Sequence, residues 1–365
     1  MIVVVGAGPA GLASAAALGR SGESVVVLER GEVAAGWSGR YDRLQLHTVR
    51  WLSSLPGYRI PRSYGKWPSR DRVIEYLRGY ADRNAIDVRK GIEVERIDRD
   101  GGGWLLETSR GSFRAERVVV ATGNNNVAFV PDWPGSFAGR IVHSSEYRNA
   151  EPYRGRRVLV AGGGNSGAEI AVDLADGGAS EVLLSVRTPP SIVRRDVLGF
   201  PSQLLGIVSM HLPVTVVDHV AATMRRLAFP DLDRYGLTAP ARPYSEFLRR
   251  RVIPIVDVGL ADAVRTGRVQ VVAAVTGLDG EAVILAGGAR RQVDDVIAAT
   301  GFRTGLEPLV GHLGVLDEHG RPLMHAADQH PDAPGLHFVG YQVTLGGTFR
   351  LVGIEARRIA RAVAA

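Results

Sequence analysis

Two glycine triplets carry the first recognisable chemistry in this chain. They are Gly6-x-Gly8-x-x-Gly11 in IVVVGAGPAGLASAAALG and Gly162-x-Gly164-x-x-Gly167 in RVLVAGGGNSGAEIAVDLA. At this spacing the first glycine permits a tight turn, the second lets backbone approach a pyrophosphate, and the third lets a helix pack closely on the preceding strand. A helix starting there offers unpaired N–H groups and its positive dipole end to phosphate oxygens. Two such sites in one polypeptide point to two redox cofactors that exchange electrons.

The residues about twenty positions downstream differ between the two. Ser24 to Leu28 reads as a strand ending at Glu29, a carboxylate that would accept hydrogen bonds from a ribose hydroxyl pair. After the second triplet the strand Glu181 to Val186 ends at Arg187, with no acid in that place. A guanidinium there suits a 2'-phosphate, which accepts paired charge-assisted bonds, so the second nucleotide is expected to be NADPH. Arg194 and Arg195 stand close enough in sequence to assist.

The elements that must position these residues can be read from the apolar pattern. Val158 to Val160 forms a buried parallel strand, and apolar residues then recur at helical spacing from Ala168 to Ala175. The first triplet sits in the same strand, turn and helix setting. Beyond Glu29 runs a loop rich in Gly, aromatic and polar residues, of the kind that covers a cofactor. Asp71 is expected to cap a helix ending near Arg83, followed by short strands around a Gly101-Gly102-Gly103 turn. Val118 to Ala121 and Val296 to Ala299 are further buried strands, each closing on Ala-Thr-Gly. Leu336 to Val339 gives a last strand and Thr348 to Val363 a terminal helix.

Composition removes several function classes. The 365 residues, 45% hydrophobic, can bury a full core, and the length allows about two domains. There is no cysteine, which excludes a disulfide framework, a thiolate metal site and a Cys-x-x-Cys relay, and no metal site is expected. The net charge of +6 is carried by arginine, since Lys66 and Lys90 are the only lysines. These arginines are scattered and accompany no nucleic-acid motif, so nucleic-acid binding is not expected. The first apolar run lacks a preceding basic segment and is committed to a nucleotide strand, which argues for the cytoplasm and against a secretory signal. Phe200 to Val217 contains no Asp, Glu, Lys or Arg but holds Pro201, Pro213, Gln203 and His211; it reads as a pocket wall or lid rather than a bilayer span.

Between the triplets lies Phe137-x-Gly139-x-x-x-His143-x-x-x-Tyr147. With both fingerprints, the Ala-Thr-Gly strand ends, YDRLQLH, Asp257-Val258-Gly259 and the closing helix, the chain resembles the flavin-containing monooxygenase family of class B flavoprotein monooxygenases. Within that family it resembles the YUCCA-type, indole-pyruvate-oxidising branch. Baeyer-Villiger relatives carry Trp where this chain has Tyr147. The resemblance implies an α/β protein with two nested Rossmann-like domains, a discontinuous FAD domain over 1–150 and 297–365 and an NADPH domain with a helical insertion over 151–296. It implies FAD at Gly6, Gly8, Gly11 and Glu29, completed by Trp37, Thr122, Gly123 and Gly340. NADPH would take Gly162, Gly164, Ser166, Gly167 and Arg187. His143 either holds the linker or contacts NADP, while Phe137 and Tyr147 pack. His47, in a stretch that lies over the flavin in relatives, is the candidate for acting on the oxygenated flavin.

The activity so implied is NADPH-driven reduction of FAD, addition of O2 at the flavin C4a to give a hydroperoxide, and transfer of one oxygen to a small organic substrate. Electron transfer to a carrier protein, an oxidase releasing hydrogen peroxide and a non-catalytic flavoprotein sensor are the rival readings. The substrate-facing stretch Thr188 to Arg251 matches the family too loosely to transfer a substrate. Amines and thioethers, a 2-oxo acid or a natural-product intermediate all fit, and a homodimer is compatible with the sequence.

Overall fold

The computed structural model describes residues 1–197, 199–241, 243–249 and 253–364. Six helices and ten strands position the functional residues. They begin with β1 (Ile2–Val5), α1 (Pro9–Arg20), β2 (Val25–Glu29), α2 (Arg70–Arg83), β3 (Val88–Lys90) and β4 (Arg117–Val120). There follow β5 (Arg140–His143), β6 (Arg157–Ala161), α3 (Asn165–Asp176), β7 (Glu181–Ser185), α4 (Ser202–Ser209) and α5 (Val214–Ala228). The last are β8 (Gln270–Val272), β9 (Asp295–Ala298), β10 (Leu336–Phe338) and α6 (Thr348–Ala364).

The chain divides into two compact units. One comprises Met1–Gly39, Thr48–Val127 and Phe302–Ala365, and the other Arg40–His47 and Ala128–Gly301. These divisions differ from boundaries at 150 and 296: residues 128–150 and the short stretch Arg40–His47 cluster with the second unit. A pattern of glycines and strand ends marks the elements of a unit but does not reveal which unit an irregular segment packs on.

In the first unit the sheet order is β10-β4-β1-β2-β3, with every pairing parallel. Ile2 to Val5 pairs with Val25 to Leu28 on one side and Arg117 to Val120 on the other. Strand order therefore reverses at β1, and the crevice beyond its carboxyl end is where a doubly wound sheet binds its ligand. An antiparallel ribbon of Val94–Asp100, Gly103–Thr108 and Gly111–Ala115 adds to this unit. Helix α1 is built from small residues, and Ala10 through Leu18 are buried. It packs against α6.

The second unit repeats the plan in the order β5-β9-β6-β7-β8, again wholly parallel. Val158 and Val160 enter one core cluster with Ile170, Val172 and Leu174 of α3. Leu159 and Ala161 enter a second with Leu278, Val283 and Val296. A strand buried on both faces has to be apolar at every position, which is why β6 reads as a continuous run instead of alternating.

One helix start differs from expectation. Helix α2 begins a residue before Asp71, and Ser69 is its cap, accepting a hydrogen bond from the Arg72 amide. Asp71 instead lies in the first turn, where its charge meets the helix dipole.

Candidate functional site

Each glycine triplet forms a cradle whose dimensions follow from absent Cβ atoms. In the first unit Gly6 adopts φ +104°, and a Cβ at Gly11 would stand 1.8 Å from the Gly6 carbonyl oxygen. A Cβ at Gly8 would meet nothing within 4 Å, so it would project into open space. In the second unit Gly162 has φ +132°, a Cβ on Gly167 would lie 1.9 Å from the Gly162 oxygen, and Gly164 again faces open space. The two outer glycines of each triplet are needed for packing, and the middle one keeps a hollow clear.

Gly8 and Gly164 are also the N-caps of α1 and α3, and neither helix has a side-chain cap or an acidic residue in its first turn. The first N–H groups of both helices thus stay available to an anion instead of being satisfied by Ser, Asp or Glu. These features fit a pyrophosphate at each cradle.

The Glu29 carboxylate is held beside the first cradle. One oxygen accepts from the Ala7 amide at 2.7 Å and the other from the Gly31 amide at 2.8 Å. This fixes its orientation, and each oxygen keeps a second lone pair for a ribose hydroxyl. In the same unit the Thr122 amide donates to the Tyr341 hydroxyl at 3.1 Å, and the Thr122 hydroxyl also bonds it. The Gly340 amide donates to buried Glu355 at 2.9 Å, and the Asn124 amide donates to the Gly340 carbonyl. Gly123 and Gly340 both require positive φ. The Trp37 ring meets Phe349 edge-on at 5.8 Å, which places it against the start of α6.

In the second unit Arg187 lies two residues beyond β7, is exposed, and among the described residues makes no hydrogen bond or ion pair. Its guanidinium is therefore open to a phosphate. Arg194 and Arg195 do not share that freedom. Arg194 donates to the Ala228 carbonyl and lies over the Phe229 ring. Arg195 donates to Gln45 Oε1 at 2.9 Å and to the Leu46 carbonyl at 2.6 Å, and burial lowers its pKa to about 10. Sequence proximity to Arg187 suggested assistance, but both arginines serve the protein's own packing.

His143 sits on the carboxyl end of β5 with both ring nitrogens engaged. Nε2 meets the Gly301 carbonyl at 3.0 Å, and Nδ1 receives the Ser145 amide at 3.1 Å. A carbonyl can only accept, so Nε2 carries the proton and the imidazole is neutral. Burial pushes its pKa below the usual histidine value, outweighing the Gly301 bond, which raises it. These contacts tie β5 to the Ala-Thr-Gly strand end and leave no ring nitrogen for NADP. Above the ordinary histidine pKa of about 6.5, both folded and unfolded chains hold this ring neutral. As pH falls through that value the unfolded chain binds the proton first, so stability is lost. The urea midpoint is expected to fall more between about pH 7 and pH 5.5 in the parent protein than in His143→Gln, and equal falls would contradict it.

Gly139 explains its spacing from Phe137. A Cβ there would come within 2.7 Å of the Phe137 ring and 2.4 Å of the Asp294 carbonyl oxygen. Tyr147 is buried against Tyr41 and Tyr153 and donates to Asp173 at 2.6 Å.

His47 is placed by the second unit. Its Nε2 pairs with Oε1 of Glu169 on α3, a buried residue only 4% exposed. The Tyr41 hydroxyl bonds the same carboxylate and Ser166, while Arg43 pairs with Asp173 and, at 2.7 Å, with Asp176. Burial, followed by the charge of Glu169, raises the Tyr41 pKa well above its ordinary value. The stretch Arg40–His47 is therefore fastened along α3, and the imidazole assigned to flavin chemistry is bound to a carboxylate of the nucleotide helix. Glu169, Asp173 and Asp176 follow an i, i+4, i+7 pattern, which puts them on one helix face. That stripe is the sequence signal for a segment docked along the helix.

Comparison with known proteins adds the chemistry. The family described as pyridine nucleotide-disulphide oxidoreductase matches residues 3–197. Indole-3-pyruvate monooxygenase YUCCA1 of Oryza sativa subsp. japonica is 36% identical, over 83% of this chain and 76% of that protein. Probable indole-3-pyruvate monooxygenase YUCCA9 of Arabidopsis thaliana is 32% identical, over 93% and 83%. The solved flavin-containing monooxygenase from Stenotrophomonas maltophilia is 26% identical with a TM-score of 0.75, covering 100% of this chain and 98% of that one.

Proposed function

The chain belongs to the flavin-dependent monooxygenases related to the YUCCA proteins, and from that premise we propose that it oxidatively decarboxylates a 2-oxo acid of the indole-3-pyruvate type. It is an FAD- and NADPH-dependent monooxygenase that places one atom of O2 on a small organic substrate. The observation that carries the reading is the paired cradle, each with an open middle glycine and an uncapped helix, in a chain without cysteine. Electrons arriving from a nicotinamide have no protein dithiol to enter. Support for the substrate class comes from the activity named for the relatives at 31–36% identity.

FAD and NADPH, when bound, supply the hydride transfer and the activation of O2. The protein's own task is to bind and orient. In this reading Gly6, Gly8, Gly11 and the start of α1 hold the FAD pyrophosphate, with Glu29 on the ribose and Trp37, Thr122, Gly123 and Gly340 completing that site. Gly162, Gly164, Gly167 and the start of α3 hold the NADPH pyrophosphate, with Arg187 on the 2'-phosphate. Ser166 steadies Tyr41 beside the second cradle, and His47 positions the 40–47 stretch through Glu169. The protein would act in the cytoplasm as a small-molecule enzyme.

For a 2-oxo acid the reaction balances as follows. One oxygen atom enters the carbonyl carbon as its bond to the carboxylate breaks, releasing CO2 and the acid one carbon shorter. The second oxygen leaves as water with the hydride and a proton. Holoenzyme given NADPH, indole-3-pyruvate and isotopically labelled O2 should put one labelled atom into the shortened acid for each NADPH used. Label found only in an amine or thioether substrate, or NADPH converted wholly to hydrogen peroxide, would overturn the proposal. In the same assay His47→Ala should keep FAD and NADPH oxidation but divert a larger share to peroxide; unchanged coupling would reduce His47 to packing.

A further inference from the structure

The insertion in the second unit exposes many apolar side chains besides those it buries. Helix α4 buries Gln203 while Leu205 and Val208 are exposed. Met210 through Val216 are exposed without interruption, and Phe200 is 67% exposed. On α5 the exposed residues Val216, Val220, Thr223 and Leu227 recur at helical spacing, so three of the four positions on one outward face are apolar. Asp218 turns the other way, accepting from the Ser245 amide and hydroxyl at 2.7 and 2.8 Å. A contiguous apolar surface of this kind marks an interaction site.

The charge around it selects the occupant. Between Arg194 and Arg251 the sequence holds nine arginines and five carboxylates, so this stretch carries most of the chain's +6 charge. None of those charges falls between Asp196 and Asp218, so the uncharged surface belongs to a stretch of net positive charge. Arg226 on α5 is exposed. A second copy of the chain would bring the same excess positive charge to the contact, whereas an anionic bilayer surface would be attracted to it. Among the described residues no helix is long and apolar enough to cross a membrane, so any such contact lies at the interface.

We propose that α4, the turn Met210 to Pro213 and the outer face of α5 form a peripheral docking surface for an anionic phospholipid bilayer. The apolar side chains would enter the headgroup boundary while exposed Arg226 and Arg234 and the net positive charge of the stretch favour anionic lipid. The segment expected to serve as a pocket wall or lid is thereby assigned an outward role.

Holoenzyme should be sedimented with phosphatidylcholine vesicles, with and without phosphatidylglycerol, at low and at physiological salt. Binding should be roughly tenfold or more tighter with phosphatidylglycerol and should weaken as salt rises. The double variant Leu212→Asp/Val216→Asp should lose roughly tenfold or more of that binding while keeping flavin and NADPH oxidation. Leu323→Asp, at an exposed apolar position outside the insertion, should bind as the parent does. Binding indifferent to phosphatidylglycerol, or unaffected by the double variant, would overturn the proposal. So would a parent dimer that the double variant dissociates, which would give this face to a second copy. The lipid and salt dependence of the parent stands as a test even if the double variant fails to fold.

Discussion

Gly11→Val is expected to yield protein without bound flavin. A Cβ there would stand 1.8 Å from the Gly6 oxygen and 3.0 Å from its carbon, both backbone atoms that cannot rotate away. Helix α1 would have to shift from β1, an overpacking cost of about 1–3 kcal/mol or more, and the cradle would open. Flavin absorbance per protein after purification measures the result. Gly8→Ala separates misfolding from loss of the site, because its Cβ meets no protein atom within 4 Å. That variant should fold and bind FAD poorly, since the methyl enters the hollow kept for the pyrophosphate. Full flavin content in both proteins would remove the N-terminal cradle as the FAD site.

Arg187→Ala is expected to lower the efficiency of NADPH use without much change for NADH. Arg187 is exposed and has no partner among the described residues, so its removal breaks no internal contact. Losing charge-assisted bonds to a 2'-phosphate should cost about 1.5–3 kcal/mol, roughly a 10- to 150-fold effect on kcat/KM. Steady-state rates with each nucleotide on flavin-loaded protein provide the comparison. Equal losses for NADPH and NADH would mean that Arg187 does not read the phosphate. Arg194→Ala, already committed to Ala228 and Phe229, should leave that selectivity unchanged.

Both predictions rest on features that short-range pattern makes readable. A cradle is a local object: its glycines, strand and helix start lie within about a dozen residues, and steric exclusion at Gly6 and Gly11 demands glycine wherever the turn occurs. The parallel strands were legible for the same reason, since burial on both faces leaves an unbroken apolar run. Glu29 and Arg187 stand out in the sequence because each lies at or just past the end of the strand that follows its cradle.

The segments between the cradles obeyed no such constraint. Ser69 took the cap expected of Asp71 because either side chain can accept an amide hydrogen bond, and the choice depends on where the helix first packs. Arg195 lies eight residues from Arg187 in the chain, yet long-range folding gives it to Gln45 and Leu46.

What the sequence by itself determined was the pair of glycine cradles, the family and the two cofactors. Each depends on residue types at fixed short separations, where backbone geometry leaves little freedom. Only the tertiary structure decided where Arg40–His47 goes, that both nitrogens of His143 are occupied, and that the apolar side chains of α4 and α5 face outward. Those outcomes depend on partners far away in the chain: His47 meets Glu169 across 122 residues and His143 meets Gly301 across 158. A histidine's role is set by what its two nitrogens touch, and no local spacing specifies that.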